Sequence, residues 1–498
     1  MHKPASFICL LQACLGFAFP FFAEAASDRQ VANFGAAQPC PNIIVIMADD
    51  LGYKDLGCYG CEDIPTPHID KLAEEGVRFT SGYVTWPMCG PSRAGFLTGR
   101  NQARFGYYKN QTTPLDPKQG LPKMETIASL LQQQGYVTGG VGKWHMGTSN
   151  DQHPNSMGFD DWFGFLSGGL MYFPLDHPSY KGKYNPLKRP AKWRDIHHTM
   201  PLIHNDKAVE WDQYLTRELT DAGIRFLEKN KQKPFFLFMS YNAPHLDLEA
   251  PPEIIAKFPA DKMTKIPGVK PAARSIYGAM VYELDQGVGQ LLERVNELGL
   301  ADNTVVWFLS DNGGMRKTSD NRPLRASKGS SYEGGLRVPM IVKWPGKIPR
   351  GVVMDEMVTS LDIGATAIAM AGGDPKQSGL HGNDIRPYMT QQSKAAPHDV
   401  LYWHTARTAG MGGVIRDGDF KLIINTKGKA ELYNLKDDLS ETTNLAASQP
   451  ERVQTMLARW TAWNKGNKPD LWGESKKSYQ YADYEWLKGS QHYKAQSE

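Results

Sequence analysis

Cys89-Gly90-Pro91-Ser92-Arg93 is the stretch of this chain whose residue types and spacing could do chemistry. Pro91 stands where a first-turn proline belongs, and Ala94 to Thr98 continues with residues a helix tolerates, so Cys89 is expected at a helix entrance. Its side chain would face the positive end of the helix dipole, with Arg93 one turn further on, an arrangement suited to an anion. A buried or redox cysteine beside a helix start would carry the same five letters, so the rest of the chain has to decide.

Four apolar runs end in residues that could complete such a site. Ile43 to Met47 runs into Asp49-Asp50, and Thr304 to Leu309 runs into Asp311-Asn312. Tyr136 to Val141 is followed by Lys143 and His145, and Pro234 to Met239 leads to Asn242 and His245. Alternation of these runs with amphipathic stretches predicts an α/β fold with a largely parallel sheet. Ligands of such sheets bind beyond the carboxyl ends of the strands. Each pair alone is an ordinary turn or a solvated loop; four strands delivering them to one edge together with Cys89 is hard to obtain from packing alone. Asp49, Asp50, Asp311 and Asn312 offer three carboxylates and an amide, a donor set that suits Ca²⁺ better than zinc.

The C-x-P-S-R…L-T-G-R run from Cys89 to Arg100 resembles the signature of the type I, formylglycine-dependent sulfatases of the alkaline phosphatase superfamily. So do Gly142-Lys143-Trp144-His145, Gly158-Phe159-Asp160, Ala243-Pro244-His245 and the glycine-rich loop opened by Lys328 before a predicted strand from Val338 to Val342. A helix expected from about Ala272 to Leu298, with Asp285 and Gly289 inside it, matches as well, so the resemblance covers roughly Ile43 to Gly372. It implies a large, mostly parallel sheet flanked by helices, and a cysteine at 89 oxidised to formylglycine by a sulfatase-maturing enzyme. By the same resemblance Asp49, Asp50, Asp311 and Asn312 hold calcium together with one oxygen of the hydrate at Cys89, and Asp311 assists attack on sulfur. Arg93, Lys143 and Lys328 then stabilise the sulfuryl oxygens, His245 with Lys328 protonates the leaving alcohol, and His145 takes the proton whose loss expels sulfate. The alternatives are a phosphate or phosphonate ester hydrolase of the same superfamily, a catalytically dead polysaccharide-binding protein, and a hydrolase using the unmodified Cys89 thiol.

Between Asp151 and Asp212 the alternation breaks, and the sequence reads as a long insertion. Lys181, Lys183, Lys188, Arg189, Lys192 and Arg194 fall close together there, interleaved with Tyr180, Tyr184, Trp193, His197 and His198. A solvated basic loop is one reading. The other is a cleft wall that meets a polyanionic sugar chain, with Lys188, Arg189 and Arg194 as contacts. The run from Cys89 to Gly106 looks most like bacterial polysaccharide sulfatases acting on algal galactans such as carrageenan, with ulvan and glycosaminoglycan enzymes not far away. The expected substrate is therefore a sulfated carbohydrate.

At the N-terminus His2 and Lys3 precede an apolar run from Phe7 to Phe22 and an Ala23-Glu24-Ala25 pattern, read as a signal peptide over residues 1–25. A periplasmic or secreted protein follows, with no membrane attachment after cleavage. Four cysteines then remain, too few for a disulfide framework in 498 residues, and Cys58 and Cys61 are expected as a local disulfide or two thiols. A net charge of +3 gives no reason to expect nucleic acid. The catalytic domain is placed at 26–372, and a smaller α+β domain at 373–498 with a meander of four strands between Val400 and Leu435 and a helix from Pro450 to Trp463. Sulfatases usually close one side of the pocket with this domain, so the resemblance makes His404 a further substrate contact.

Overall fold

The computed structural model describes residues 40–111, 118–174, 177–179, 200–405, 411–425 and 429–472. The stretch expected to be a signal peptide, Lys188, Arg189, Arg194 and the C-terminal residues from 473 on lie outside the described residues.

The apolar runs form strands. They are β1 (Asn42–Ala48), β2 (Val77–Phe79), β3 (Gly82–Tyr83), β4 (Val137–Lys143), β5 (Asp161–Phe165), β6 (Leu202–His204), β7 (Lys207–Val209), β8 (Phe235–Ser240), β9 (Thr304–Ser310), β10 (Met340–Lys343), β11 (Val352–Met354) and β12 (Val358–Thr359). One ten-stranded sheet takes the order β11-β2-β10-β9-β1-β8-β4-β5-β6-β7, and β12 pairs with β3 in a two-stranded one. Its centre, β9-β1-β8-β4-β5, is parallel throughout. Every residue of β1, β8 and β9 is buried, which is why these strands read as continuous apolar runs rather than alternating ones. Successive β1 residues serve opposite layers. Ile43, Val45 and Met47 pack with the helices Cys89–Thr98, Ile127–Gln133 and Ser360–Met370; Ile44, Ile46 and Ala48 pack with Pro67–Glu74, Leu215–Asn230 and Pro271–Glu297.

Two features depart from expectation. The stretch between Asp151 and Asp212 is not wholly an insertion: β5 is the parallel partner of β4, and β6 and β7 extend that edge antiparallel. Five residues with a glycine among them, Asp-Trp-Phe-Gly-Phe, carry too little periodicity to announce a strand. β10 starts two residues later than expected and runs antiparallel to β9. The chain leaving β9 therefore need not cross to the far edge before β10, and residues 313–339, Lys328 among them, stay at the carboxyl edge of the sheet.

A third sheet, β13 (Val400–Trp403), β14 (Met411–Asp417), β15 (Phe420–Asn425) and β16 (Ala430–Asn434), is an antiparallel meander covered by the helix Pro450–Asn464. At Gly413 a Cβ would lie 2.2 Å from the Trp460 ring, so glycine there lets this helix close on β14. The sheet is tied to the larger unit by Lys421 of β15, whose Nζ lies 2.8 Å from both Glu333 Oε1 and Glu441 Oε1 with all three groups buried. Burial would raise Glu333, but Lys421 and Arg337 hold it down to about 2. Lys421→Met leaves two buried carboxylates without that partner, and is expected to lower the unfolding free energy by about 3–5 kcal/mol. An unchanged melting temperature in thermal denaturation would contradict this.

Cys58 and Cys61 are two free thiols rather than a disulfide. Burial, then Asp70 for Cys58 and Asp55 for Cys61, pushes both above the usual thiol range, Cys61 to about 12. Among the described residues no helix is long and apolar enough to cross a membrane.

Candidate active site

Asp49 and Asp50 leave β1 next to Asp311 and Asn312 leaving β9, because the register sets Ala48 opposite Ser310. The Asp311 backbone N–H donates to Ala48 O at 3.0 Å, and Asp50 N–H to Asp311 Oδ1 at 3.2 Å. Asp50 sits at φ +64°, a left-handed conformation that aspartate visits more readily than most residues. The turn this permits aims its carboxylate back across the edge.

Cys89 opens the helix Cys89–Thr98, as expected from Pro91, and the next backbone N–H, that of Gly90, donates to Asn110 Oδ1 at 2.9 Å. Cys89 Sγ lies 3.4 Å from Asp49 Oδ1, 3.9 Å from Asp50 Oδ1 and 2.9 Å from Lys328 Nζ. Arg93 follows one turn along, with Nε and Nη2 each 2.9 Å from Asp311 Oδ2 and Nη1 on Ser240 Oγ and the Lys143 carbonyl. Lys143 Nζ bonds Asp49 Oδ2, and Lys328 Nζ is 2.6 Å from Asp50 Oδ1. Three carboxylates and three cations thus share one buried cluster. Pairing on this scale is what allows the charges to be desolvated at all.

Burial, then the Asp49 carboxylate, pushes the Cys89 thiol well above its usual range, with Lys143 and Lys328 opposing. Burial thus disfavours the thiolate, the form in which a cysteine is nucleophilic. Burial and Asp49 likewise raise Asp311, against Arg93.

The oxygens of the cluster suit a cation. Asp50 Oδ2 and Asn312 Oδ1 are buried without a hydrogen-bond partner, although Asn312 Nδ2 donates to Asp50 Oδ1 at 2.7 Å. Orphaned buried oxygens are rare and costly unless a cation or water takes them up. Asp49, Asp50, Cys89 and Asp311 each offer a ligand atom within 4.8 Å of the others. Asp49, Cys89 and His245 also come within that distance, and His245 Nδ1, 2.6 Å from Leu246 O, leaves Nε2 as the nitrogen turned to the cluster. The oxygen-rich set fits a hard dication.

His245 follows β8, with Nε2 3.7 Å from Asp50 Oδ2. His145 follows β4 at φ +61°, and its carbonyl lies against Gly90, where a Cβ would come within 3.3 Å of it. Gly142, at φ +104°, is required just before Lys143, since a Cβ there would be 1.9 Å from Ser240 O. His404 is placed apart from the charged cluster. It lies between Tyr108 and Trp460, with centroids at 4.7 and 6.2 Å, and Nδ1 is 2.8 Å from Asn464 Oδ1, beside a cavity of about 340 Å³ that Lys468 and Asp470 also line. Ser240 and Asn110 support Arg93 and Gly90 and were not anticipated. Ser240 ends β8 at the same edge and was legible there; Asn110, in an irregular segment, carries no local signal.

Residues 41–373 match the family model described as Sulfatase, and residues 327–490 the one described as N-sulphoglucosamine sulphohydrolase, C-terminal. The chain is 34% identical over 374 residues to N-acetylgalactosamine-6-sulfatase of Canis lupus familiaris, spanning 71% of this chain and 67% of that protein. It is 32% identical over 472 residues to arylsulfatase A of Homo sapiens, spanning 85% and 88%. Among solved structures it is similar to Ps i-CgsB in complex with k-i-k-neocarrahexaose, with a TM-score of 0.77, 36% identity, and 88% of this chain and 95% of that one covered.

Proposed function

The chain belongs to the sulfatase family, and from that premise we propose that it removes sulfate from a sulfated carbohydrate of the carrageenan kind, using formylglycine made from Cys89 and a calcium ion. The observation that carries this reading is the contact of Cys89 Sγ with Asp49 and Lys328 inside a cluster whose Asp50 and Asn312 oxygens have no partner. The likeness to Ps i-CgsB, solved with a neocarrahexaose, supports the choice of sugar. Ulvan and glycosaminoglycan fragments are the competing substrates.

Asp49, Asp50, Asp311 and Asn312 would hold the calcium. When present, the hydrated aldehyde at position 89 supplies an oxygen nucleophile and the ion polarises the sulfate ester. The chain's own groups do the rest. Arg93 and Lys143 from buried positions, and Lys328 from a mostly buried one, meet the charge on the sulfuryl oxygens, where fixed donors are worth far more than in water. Asp311 keeps Arg93 aimed through one hydrogen bond from Nε and the ion pair with Nη2 at the same oxygen. His245, with Nδ1 held on Leu246 O, delivers a proton from Nε2 to the leaving alcohol, and His145 accepts the proton whose loss releases sulfate.

Burial argues against an unmodified thiol hydrolase, because it disfavours the thiolate at Cys89. The oxygen-rich set of Asp49, Asp50, Asp311 and Asn312 suits one hard dication rather than the His-containing ligand pair of a two-zinc phosphoesterase. All the catalytic side chains named from the sequence are present, which disfavours a dead binding protein. Residues 1–25 serve as an export signal, a maturing enzyme acts on Cys89, and residues 26–372 and 373–498 form the two mature domains. Lys188, Arg189, Arg194 and His404 are proposed as contacts to the sugar chain.

Sulfate release across purified oligosaccharides of carrageenan, ulvan and glycosaminoglycans tests the substrate. Hydrolysis of small aryl sulfates with none of these sugars desulfated would defeat it. Replacing Lys188, Arg189 and Arg194 together by Ala is expected to weaken hydrolysis of a sulfated hexasaccharide roughly tenfold, as three solvent-screened contacts allow, and to leave a small aryl sulfate nearly unchanged. The difference should shrink as salt is added. Kinetics at two ionic strengths check this; an equal drop for both substrates would mean the basic stretch serves the fold alone.

A further inference from the structure

After β5 the chain runs beneath both histidines. At Gly168 a Cβ would lie 2.6 Å from His145 Nε2 and 2.8 Å from its Cε1, so the imidazole rests directly on this glycine. Four residues on, the buried Tyr172 hydroxyl lies 2.9 Å from two carbonyls at once, those of Asn242 and His245. Asn242 returns the contact, its Nδ2 donating to Leu170 O at 2.8 Å. The turn itself is closed by His245 N–H on Asn242 O at 2.9 Å. Residues 170–172 and 242–245 are thus clamped together by the Asn242 Nδ2 bond to Leu170 O and by the single Tyr172 O–H proton shared between Asn242 O and His245 O, one end of the clamp being the His245 backbone.

Tyr172 is fixed in turn. Its ring stacks on Tyr214 at 5.4 Å and 21°, and its N–H donates to Glu249 Oε2 at 3.0 Å. Burial, then the neighbouring Tyr214, raises the phenol well above its ordinary range, so it remains a donor. The His245 ring sits on the clamped backbone, and Nδ1 bound to Leu246 O fixes which nitrogen is turned to the acidic cluster. A shift of the turn would move Nε2 with it.

We infer that Tyr172 is a positioning residue for His245, acting through the Asn242 to His245 turn, and that Gly168 gives the His145 ring its seat on the same segment. The inference rests on the reading of His245 as the acid that protonates the leaving alcohol. A tyrosine hydroxyl that touches only backbone carbonyls would otherwise be part of the packing.

Tyr172→Phe keeps the ring and removes the donor. For a sugar sulfate, whose alkoxide leaves poorly without a proton, it is expected to lower kcat roughly 10- to 100-fold with KM nearly unchanged, the range that a misplaced catalytic group commands. For 4-nitrophenyl sulfate, whose phenolate leaves unaided, kcat should stay within about twofold. A double-mutant cycle gives the decisive comparison: in a His245→Ala background, Tyr172→Phe should cost no further activity. The same proportional loss with and without His245 would overturn the inference. Equal damage to both substrates by His245→Ala alone would instead overturn the acid reading, while the cycle still reports whether Tyr172 works through His245. Asn242→Ala cuts the same clamp from its other side and is measured the same way should Tyr172→Phe fail to fold. Gly168→Ala is expected to slow both substrates alike, since sulfate release does not depend on the leaving alcohol; wild-type turnover in that variant would remove Gly168 from the inference.

Discussion

Cys89→Ala is expected to lower kcat/KM for every sulfate ester by roughly 10⁴-fold or more, the scale seen when a covalent nucleophile is removed while binding groups remain. The structure explains why the loss should be specific. Cys89 is the first residue of its helix, and the donor that fixes the start of that helix, Gly90 N–H on Asn110 Oδ1, belongs to the backbone and survives the change. Lys328 loses the sulfur at 2.9 Å but keeps Asp50 at 2.6 Å, so no charge is orphaned. The stability cost should stay within about 1–3 kcal/mol, the ordinary range for a buried truncation. Steady-state kinetics beside a thermal melt separate the two effects. A folded Cys89→Ala protein with near-normal turnover would remove Cys89 from the chemistry.

The second large effect is expected at the cation cradle. Asp311 Oδ2 accepts from Arg93 Nε and pairs with Nη2 at 2.9 Å while Oδ1 accepts from Asp50 N–H, so one carboxylate holds both a catalytic cation and the turn bearing a metal ligand. Asp311→Asn preserves shape and one acceptor but turns an amide N–H₂ toward the guanidinium and takes a charge from the ligand set. Breaking a buried pair in this way costs about 3–5 kcal/mol, and activity should fall roughly 10³-fold or more as Arg93 and the ion lose their common anchor. Bound calcium, measured by elemental analysis after dialysis, should drop with it. Chelating the wild type should lower its melting temperature, since a ligand at 100 times its Kd stabilises by about 2.7 kcal/mol. Full turnover in metal-free protein would exclude the calcium role.

Much of this architecture could be read from the chain because its central strands are buried on both faces. β1, β8 and β9 begin and end within two residues of the apolar runs that predict them, and the Pro91 signal places the Cys89 helix correctly. The acidic pairs were legible for the same reason: a polar residue straight after a buried parallel strand has only the carboxyl edge to occupy. Strand direction was not legible. That β10 is antiparallel depends on its pairing with β9 and β2, a long-range fact, and it is this that keeps Lys328 near Cys89. β5 escaped because a five-residue strand with an internal glycine has no periodicity to find. Tyr172 and Asn110 escaped for a different reason. Each acts on backbone atoms, of His245 and Gly90 respectively, and such contacts leave no pattern of spacing in the sequence.

The most direct test of the account is mass spectrometry of the peptide containing Cys89, taken from protein made in a cell with a sulfatase-maturing enzyme and assayed on the same day for sulfate release. An aldehyde in place of the thiol, in a fraction that tracks specific activity from batch to batch, is the predicted result. Fully active protein carrying only unmodified cysteine at position 89 would contradict it.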